Sequence, residues 1–416
     1  MTKTEPGGDV PSISPAALQE RIDRGEPVRV LDLRNRDEVE RWHLSGPSVT
    51  LTQIPHNRFI QARVTGAVDE FVADVDGERP ITAVCAQGAA SGDVAGHLLE
   101  AGHDARNLAG GMEAWARLYT ATELDVKRRG DRAGGGTGEA RDDTGDGASG
   151  RGGEPTVVQY RRPSSGCLGY MVLADGEAAV VDPLRAFVDR YVADAGERGA
   201  TIRWVVDTHV HADHVSGLRE LAAAADATPV VPVQAAERGI TDDVETVTDG
   251  DALPVGEAAL EAVHAPGHTT GMTAFAVGDG VLLTGDSLFV RSVARPDLER
   301  GADGARDLAG DLYRTLTERF ARFSDRTVVA PGHHGEAPGF APDGSHTAEL
   351  GTARGLPAFH MTGDEFVDYV TGDMPPQPAN VETVIAVNLG RDTADDETAF
   401  ELELGPNNCA ATPVEQ

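Results

Sequence analysis

Short apolar runs alternate with longer segments of helical period along most of the chain. "VRVLDL" (28–33) and "ITAVCA" (81–86) are continuous apolar stretches of the kind that fill a parallel sheet buried on both faces. Between and around them, "AALQERIDRG" and "DVAGHLLEAG" carry apolar residues at helical spacing. The first of these starts on Ser14 and Pro15, an N-cap followed by proline in the first turn, and stops on glycine. The pattern predicts a small α/β unit over residues 10–122, with helices on both faces of its sheet.

From residue 156 the pattern turns strand-rich. "TVVQYR", "GYMVLAD" and "AAVVDP" read as strands, "AFVDRYVADAGERG" as a helix, and "IRWVVDTH" as a further strand. "TAFAVGDGVLLTGDSLF" reads as a hairpin turning at Gly278, Asp279 and Gly280, and "RTVVAPGHHG" as a late strand running into a loop. This second α/β unit is predicted over 156–390. Residues 391–416 are read as a tail in which "AFELEL" alternates like one more strand. No internal repeat is visible.

Between the two units, residues 126–154 form a linker. Its central stretch, 130–153, holds ten glycines and no large apolar side chain. Such a segment cannot bury enough surface to offset the entropy of ordering it, so it is expected to be a flexible tether.

Within "THVHADHVSG" (208–217), three histidines and an aspartate fall in a span of a few residues. His209 and His211 sit two apart on an extended loop, and Asp213 and His214 are read as the opening turn of a helix. Four such groups share a small volume at low cost only when a cation offsets the carboxylate and orders the rings. His268 in "APGHTTG", Asp286 in "LLTGDSLF" and His333 in "APGHHG" extend the set. Each follows an apolar strand and has glycine beside it.

Charge and cysteine usage narrow the setting. Acidic residues number 68 and basic ones 36, for a net charge of −32, and Lys3 and Lys127 are the only lysines. A surface this negative repels nucleic acid and anionic membranes, so neither is expected as a partner. Acidity with so little lysine suits a salt-loving host, where concentrated salt screens the self-repulsion. The opening "MTKTEPGGDV" lacks the apolar stretch of a signal peptide, and no run of 18 apolar residues occurs. Cys85, Cys167 and Cys409 are far apart, which fits a reducing cytoplasm and not a disulfide scaffold.

The metal-type residues, in this order and with these flanks, resemble the metallo-β-lactamase superfamily over roughly 156–390. The resemblance implies an αβ/βα sandwich with metal at one edge. In the glyoxalase II pattern, His209, His211 and His268 would hold one zinc ion, and Asp213, His214 and His333 a second, with Asp286 bridging. A hydroxide nucleophile for thioester hydrolysis would follow. Finer features resemble the persulfide dioxygenase branch: "SLFVRSVARPDLE" after Asp286, "SSGCLGYMV" with Cys167, "VVDP" at Asp182, and "EFVDYVTGDMPPQPANVETVIAVNLG". That branch implies one Fe(2+) on His209, His268 and Asp286. His211, Asp213, His214 and His333 would then lie in an outer shell. The ligand types alone leave one iron and two zincs both open. Arg291 and Arg295 suit either the carboxylates of a low-molecular-weight thiol persulfide or internal pairing with Asp297 or Glu299. Cys167 is expected to pack near the entrance strand, and Cys409 has no motif around it.

In "ITAVCAQGAASGDVAGHLLEAG", Cys85 ends a buried strand and a glycine-rich loop leads into a helix. This geometry aims backbone N–H groups and a helix N-terminus at the sulfur and stabilises an anion there. Segment 10–120 resembles a rhodanese domain. The matching parts are "VLDLRNRDEVERWHLSGP" with Asp32, Arg34, His43 and Gly46, then "CAQGAAS", then "NLAGGMEAW" with Gly110, Gly111 and Trp115. The resemblance makes Cys85 the sulfur-accepting nucleophile, with Gly88 and Ser91 on the substrate loop. Where many rhodaneses carry arginine in this loop, the chain has Ala86, Ala89 and Ala90, so the aid to an anion such as thiosulfate or sulfite must come from backbone amides. The combined expectation is a persulfide dioxygenase tethered to a sulfurtransferase, with a zinc thioesterase as its rival. Oligomeric state is open, a homodimer included.

Overall fold

The computed structural model describes residues 10–73, 75, 80–125, 154–240, 243–335, 341–372, 374–405 and 408–411. Ser14 caps the helix Pro15–Asp23 by accepting from Ala17 N at 3.2 Å, as its sequence signature predicts. The first sheet is parallel throughout. Its strands are β1 (Ser12–Ile13), β2 (Val28–Asp32), β3 (Val49–Gln53), β4 (Ile81–Val84) and β5 (Ala105–Leu108), in the order β1-β5-β4-β2-β3. One face packs Leu31, Ala83, Val94 and Leu98; the other packs Val30, Val84, Leu108 and Trp115. Burial on both faces explains why β2 and β4 read as unbroken apolar runs.

The second unit is a four-layer sandwich. A seven-stranded sheet comprises β6 (Thr120–Glu123), β7 (Thr156–Arg162), β8 (Cys167–Ala174), β9 (Glu177–Val181), β10 (Thr201–Val206), β11 (Thr228–Pro232) and β12 (Glu245–Val247). Facing it lie β13 (Ala252–Val255), β14 (Ala258–His264), β15 (Thr273–Val277), β16 (Val281–Gly285), β17 (Val328–Pro331) and β18 (Ala348–Glu349). Val172, Val181, Val206, Leu260, Phe275 and Leu283 fill the space between the sheets. Alternate residues Met171 and Val180 turn outward onto Tyr191 and Leu221. The outer face of the second sheet is covered by Leu312, Phe320 and Phe366. This is the αβ/βα sandwich the sequence implies, joined to an α/β unit of rhodanese type. The β15–β16 hairpin turns over residues 278–280, as expected. No helix among the described residues is long and apolar enough to cross a membrane.

Three expectations need correction. The tether of 126–154 lies almost wholly outside the described residues, but what flanks it is plain. β6 pairs antiparallel with β7, Glu123 opposite Val158 and Thr120 opposite Arg161. The glycine-rich segment therefore joins two neighbouring strands of one sheet, and the boundary placed at 122 falls inside β6. Next to β6, Tyr119 stacks on Phe187 with ring centroids 4.0 Å apart. Arg161 grips Asp23 through two hydrogen bonds of 3.2 and 2.7 Å. The first unit is thus docked before the glycine-rich segment begins.

The first four residues of "AFELEL" are helical rather than extended, closing the helix Asp396–Leu402. The Asp395 side chain accepts from Thr398 N at 2.8 Å, and Asp396 and Glu397 occupy the first turn. A capped, acidic N-terminus outweighs the two-residue alternation. Nor is this end a loose tail. Glu403 is fully buried against Arg162 and accepts from Val215 N at 3.1 Å. Finally, Asp213 and His214 are not helical: the helix Leu218–Ala225 begins four residues later, after Ser216 has accepted from Leu218 N.

Arg162 also donates to Ala116 O at 3.1 Å and lies over Phe187 and Phe400. It thereby ties the first unit, the seven-stranded sheet and the C-terminal helix together. Arg162→Ala is expected to cost roughly 3–5 kcal/mol in urea unfolding, because Glu403 is left charged and unpaired in the interior. Excising residues 132–151 should instead raise stability by about 1 kcal/mol, since closing a shorter loop costs less entropy. Halves that come apart on mild proteolysis of the excised variant would contradict the strand pairing.

Candidate metal centre

Every metal-type side chain sits on a loop just beyond the C-terminal end of a strand, at one edge of the sandwich. Residues 207–214 follow β10, His268 follows β14, Asp286 follows β16 and His333 follows β17. All are buried: His209 is 1% exposed, and His268 and Asp286 are 0%. A polar group removed from water this completely needs a partner.

Three side chains converge first. His209 Nε2 lies 3.8 Å and His268 Nε2 3.6 Å from Asp286 Oδ2. All three atoms are buried without a hydrogen-bond partner, an arrangement that fits a metal held by two imidazoles and one carboxylate. The opposite edge of each group is pinned. His268 Nδ1 donates to Arg295 O at 2.8 Å, which turns Nε2 inward. His209 Nδ1 meets Thr208 Oγ1 at 2.9 Å, and that hydroxyl reaches Asp182 Oδ2 at 2.9 Å. Asp286 Oδ1 accepts from His333 Nδ1 at 2.7 Å.

A second group adjoins the first. His333 Nε2 donates to Asp213 Oδ2 at 2.7 Å, so this imidazole stands between two carboxylates. Burial disfavours its charged form, but Asp286 and Asp213 outweigh that and raise its pKa well above the usual histidine value. Burial likewise opposes ionisation of Asp286, and His333 outweighs it, holding the carboxyl well below the ordinary range. Asp213 behaves alike between His333 and His214. His209 is pushed well down by burial and by His211, which leaves its ring neutral, as a metal ligand must be. His211 stands apart: its Nε2 donates to Asp182 Oδ1 at 3.1 Å, and it groups with Asp182 and Asp207. Burial lifts the Asp207 carboxyl to about 6 against the opposing pull of His211.

The structure also brings in Cys167, expected to pack near the entrance strand, and Cys409, which had no motif around it. Cys167 Sγ donates to Asp213 Oδ2 at 3.3 Å and groups with Asp213, His214 and His333. Cys409 lies within ligand range of Asp286 and His333. Long-range pairing decides both: Cys167 bridges to His333, and Ala410 to Ala294. No local pattern announces either contact. Arg295, open between a substrate carboxylate and internal pairing, takes the internal pair, which corrects its candidacy as a substrate-binding residue. It is 1% exposed and bound to Asp297 at 2.7 and 2.8 Å, and it donates to the carbonyls of Pro376 and Asn408. Its guanidinium braces the C-terminal segment while its carbonyl orients His268. Arg291 is exposed.

In the first unit, Cys85 sits at the end of β4, where its sulfur accepts from Gly88 N at 3.1 Å, Ser91 N at 3.4 Å and Ser91 Oγ at 3.1 Å. The helix Ala89–Glu100 starts there, as predicted. The loop is seated by Met112 N and Glu113 N, which donate to the carbonyls of Cys85 and Ala86 at 2.9 Å. Gly111, at φ +62°, permits this approach: a Cβ there would fall 2.3 Å from Cys85 O. Asp32 and Arg34 form a buried pair at 2.7 Å.

Two facing sheets with helices outside and buried histidine–aspartate loops at one edge define a metal-binding αβ/βα sandwich, here joined to a cysteine-loop domain. Residues 163–333 match the family model of the metallo-beta-lactamase superfamily, and residues 14–118 that of the rhodanese-like domain. Persulfide dioxygenase ETHE1, mitochondrial, of Homo sapiens is 27% identical over 244 residues, 57% of this chain and 89% of that protein. Hydroxyacylglutathione hydrolase of Anaeromyxobacter dehalogenans is 34% identical over 195 residues, 45% of this chain and 72% of the other. The crystal structure of ETHE1 from Myxococcus xanthus superposes with a TM-score of 0.50 at 27% identity, covering 56% of this chain and 98% of that one. The chain belongs to the metallo-β-lactamase superfamily, in the glyoxalase II-like part that includes the persulfide dioxygenases, and carries an N-terminal rhodanese-like domain. The persulfide dioxygenase and the hydroxyacylglutathione hydrolase are enzymes by name.

Gly332 lies against the centre, where a Cβ would sit 2.6 Å from Asp286 Oδ1. Gly332→Ala should swing that carboxylate off its bearing and weaken metal binding by about 10–100-fold, with the circular dichroism spectrum unchanged. Full metal loading of this variant would show that the carboxylate is not so constrained.

Proposed function

We propose that the chain is a persulfide dioxygenase with a built-in sulfurtransferase: RSSH + O2 + H2O → RSH + SO3²⁻ + 2 H⁺, where R is a low-molecular-weight thiol. One observation carries the reading: His209 Nε2, His268 Nε2 and Asp286 Oδ2 converge while unpartnered, and His333 has both ring nitrogens committed to carboxylates. Two neutral imidazoles and one carboxylate suit Fe(2+), which His209, His268 and Asp286 would hold and which would supply oxygen activation. The chain's own part is positioning and water exclusion. Thr208 and the Arg295 carbonyl fix the two rings, and His333 holds Asp286 so that one oxygen faces inward. The 27% identical relative that bears this activity's name is spanned over 89% of its length.

In the first domain, Cys85 is the nucleophile. Its thiolate takes sulfane sulfur from thiosulfate, Cys85–S⁻ + S–SO3²⁻ → Cys85–S–S⁻ + SO3²⁻, and the reverse captures sulfite. Gly88 N, Ser91 N and Ser91 Oγ stabilise the charge in place of the arginine other loops carry. Capture of the sulfite that the second domain would release and supply of persulfide to that domain are the two directions open to this transfer.

A second reading has one observation in its favour. Asp213, His214 and His333 stand ready beside the first three donors, and the hydroxyacylglutathione hydrolase relative is 34% identical. Two zinc ions and thioester cleavage would follow. Metal analysis of anaerobically purified protein, paired with an oxygen electrode, separates the two: about one iron with persulfide-dependent oxygen uptake, or about two zincs with none. Asp286→Ala should abolish oxygen uptake and leave sulfur transfer at Cys85 intact, and Cys85→Ser the reverse. Loss of both activities in either folded variant would contradict the division.

A further inference from the structure

We propose that Asn107 is a positioning residue for sulfur transfer: its side-chain amide governs where the Ser91 hydroxyl sends its one proton, away from the neutral Cys85 thiol and onto the sulfur once that carries charge. The role rests on Cys85 being the nucleophile of the first domain.

Sheet register brings the three side chains together. β5 lies parallel to β4, with Asn107 opposite Ala83. Side chains alternate along a strand, so Ala83 and Cys85 share a face, as do Ala105 and Asn107. Ala83, Cys85 and Ala105 all pack in the cluster that Val94 and Leu98 of the helix Ala89–Glu100 complete. Asn107 is half-buried on that same face. Asparagine is uncommon in strands, and its amide needs a partner on a face that a helix covers. Asn107 Oδ1 accepts from Ser91 Oγ at 2.8 Å. The same hydroxyl reaches Cys85 Sγ at 3.1 Å, and Ser91 is 0% exposed.

Proton counting sets the mechanism. A serine hydroxyl has one hydrogen, and two acceptors face it here. While Cys85 is a neutral thiol, Asn107 Oδ1 is the better acceptor and holds that hydrogen. When the thiol proton leaves to solvent, the thiolate becomes the stronger acceptor and the hydroxyl turns to it. Oδ1 and Oγ would then face each other with no hydrogen between them. The amide resolves this by turning over, so that Nδ2–H donates to Ser91 Oγ, because asparagine carries a donor and an acceptor on one planar group. Gly92 leaves space beside it: even a Cβ there would sit 3.4 Å from Nδ2. The charged sulfur is then served by the Gly88 and Ser91 amides and by a hydroxyl that is itself hydrogen-bonded, which strengthens the hydroxyl as a donor. Ala86, Ala89 and Ala90 supply no cation to the loop, so this donor carries more of the load than it would beside an arginine.

The test is iodoacetamide alkylation of Cys85 in the full-length protein, followed by mass spectrometry of the Cys85 peptide. It reports the thiolate, and the uncharged reagent is not repelled by a new carboxylate. Asn107→Asp can accept but not donate. It should slow alkylation at neutral pH by about tenfold or more and move the pH profile upward. Ser91→Ala should slow alkylation by about three- to tenfold, and in that background Asn107→Asp should have a clearly smaller effect than alone. Asn107→Leu, which loses the competing acceptor and the supporting donor together, should stay within about threefold of wild type. Circular dichroism reports that each variant is folded. Alkylation of Asn107→Asp at the wild-type rate overturns the proposal. An undiminished effect in the Ser91→Ala background also overturns it, since that marks charge repulsion alone, and so does an equal loss in Asn107→Leu, which marks a structural role. Transfer of sulfur from thiosulfate to cyanide by the wild-type protein is read separately. Its absence with alkylation intact would overturn the sulfurtransferase reading, and with it the part of Asn107 in transfer.

Discussion

The imidazole of His333, held at 2.7 Å between the carboxylates of Asp286 and Asp213, is the interaction on which the centre depends. Two carboxylates in a site stripped of water repel each other and resist ionisation. One ring donating to both removes that conflict and fixes each carboxylate's orientation. At Asp286 it also assigns the oxygens, Oδ1 to the ring and Oδ2 to His209 and His268, while at Asp213 the oxygen bound to the ring also meets Cys167 and His214. Two adjacent donor groups follow, with different chemistry on either side of a single ring.

The sandwich makes this arrangement possible by placing β10, β14, β16 and β17 so that their last residues meet at one edge. The strands bury apolar side chains between the sheets, and the loops that follow carry the polar groups no sheet interior would tolerate. Outer contacts then brace the loops. Glu403 accepts from Val215 N, Asn388 donates to the carbonyls of His211 and His214, and the Arg295–Asp297 pair secures the carbonyl that orients His268. These bracing residues lie far along the chain from the loops they hold.

The two domains are joined differently from what a glycine-rich linker suggests. Pairing of β6 with β7, the Tyr119–Phe187 stack, and the adjacent Arg161 and Arg162 dock the rhodanese-like unit on the edge of the larger sheet. Arg162 reaches the end of the helix Gly111–Ala116, whose other end seats the Cys85 loop, while Glu403 links the same guanidinium to the segment after His214. Sulfur transfer and oxygen chemistry, on the proposed reading, occur on one docked body rather than on two units at the ends of a tether.

Much of this was legible along the chain. Period and punctuation marked the strands of both units, and the capped start at Ser14 was visible, because these are local choices of backbone and burial. The histidines and aspartates also declared themselves, since few other needs crowd such groups beyond apolar strands. What stayed hidden depended on partners remote in sequence. Helix won over strand at Asp396–Leu402 through a cap and a buried Glu403. Cys167 and Cys409 reached the centre only through bridges to segments more than a hundred residues away. Residue type and spacing determined that a group of metal-type donors and a cysteine loop exist. Which oxygen, nitrogen or sulfur faces which neighbour was decided by tertiary packing, because a hydrogen bond between buried groups is a property of the pair and is written in neither residue's local sequence.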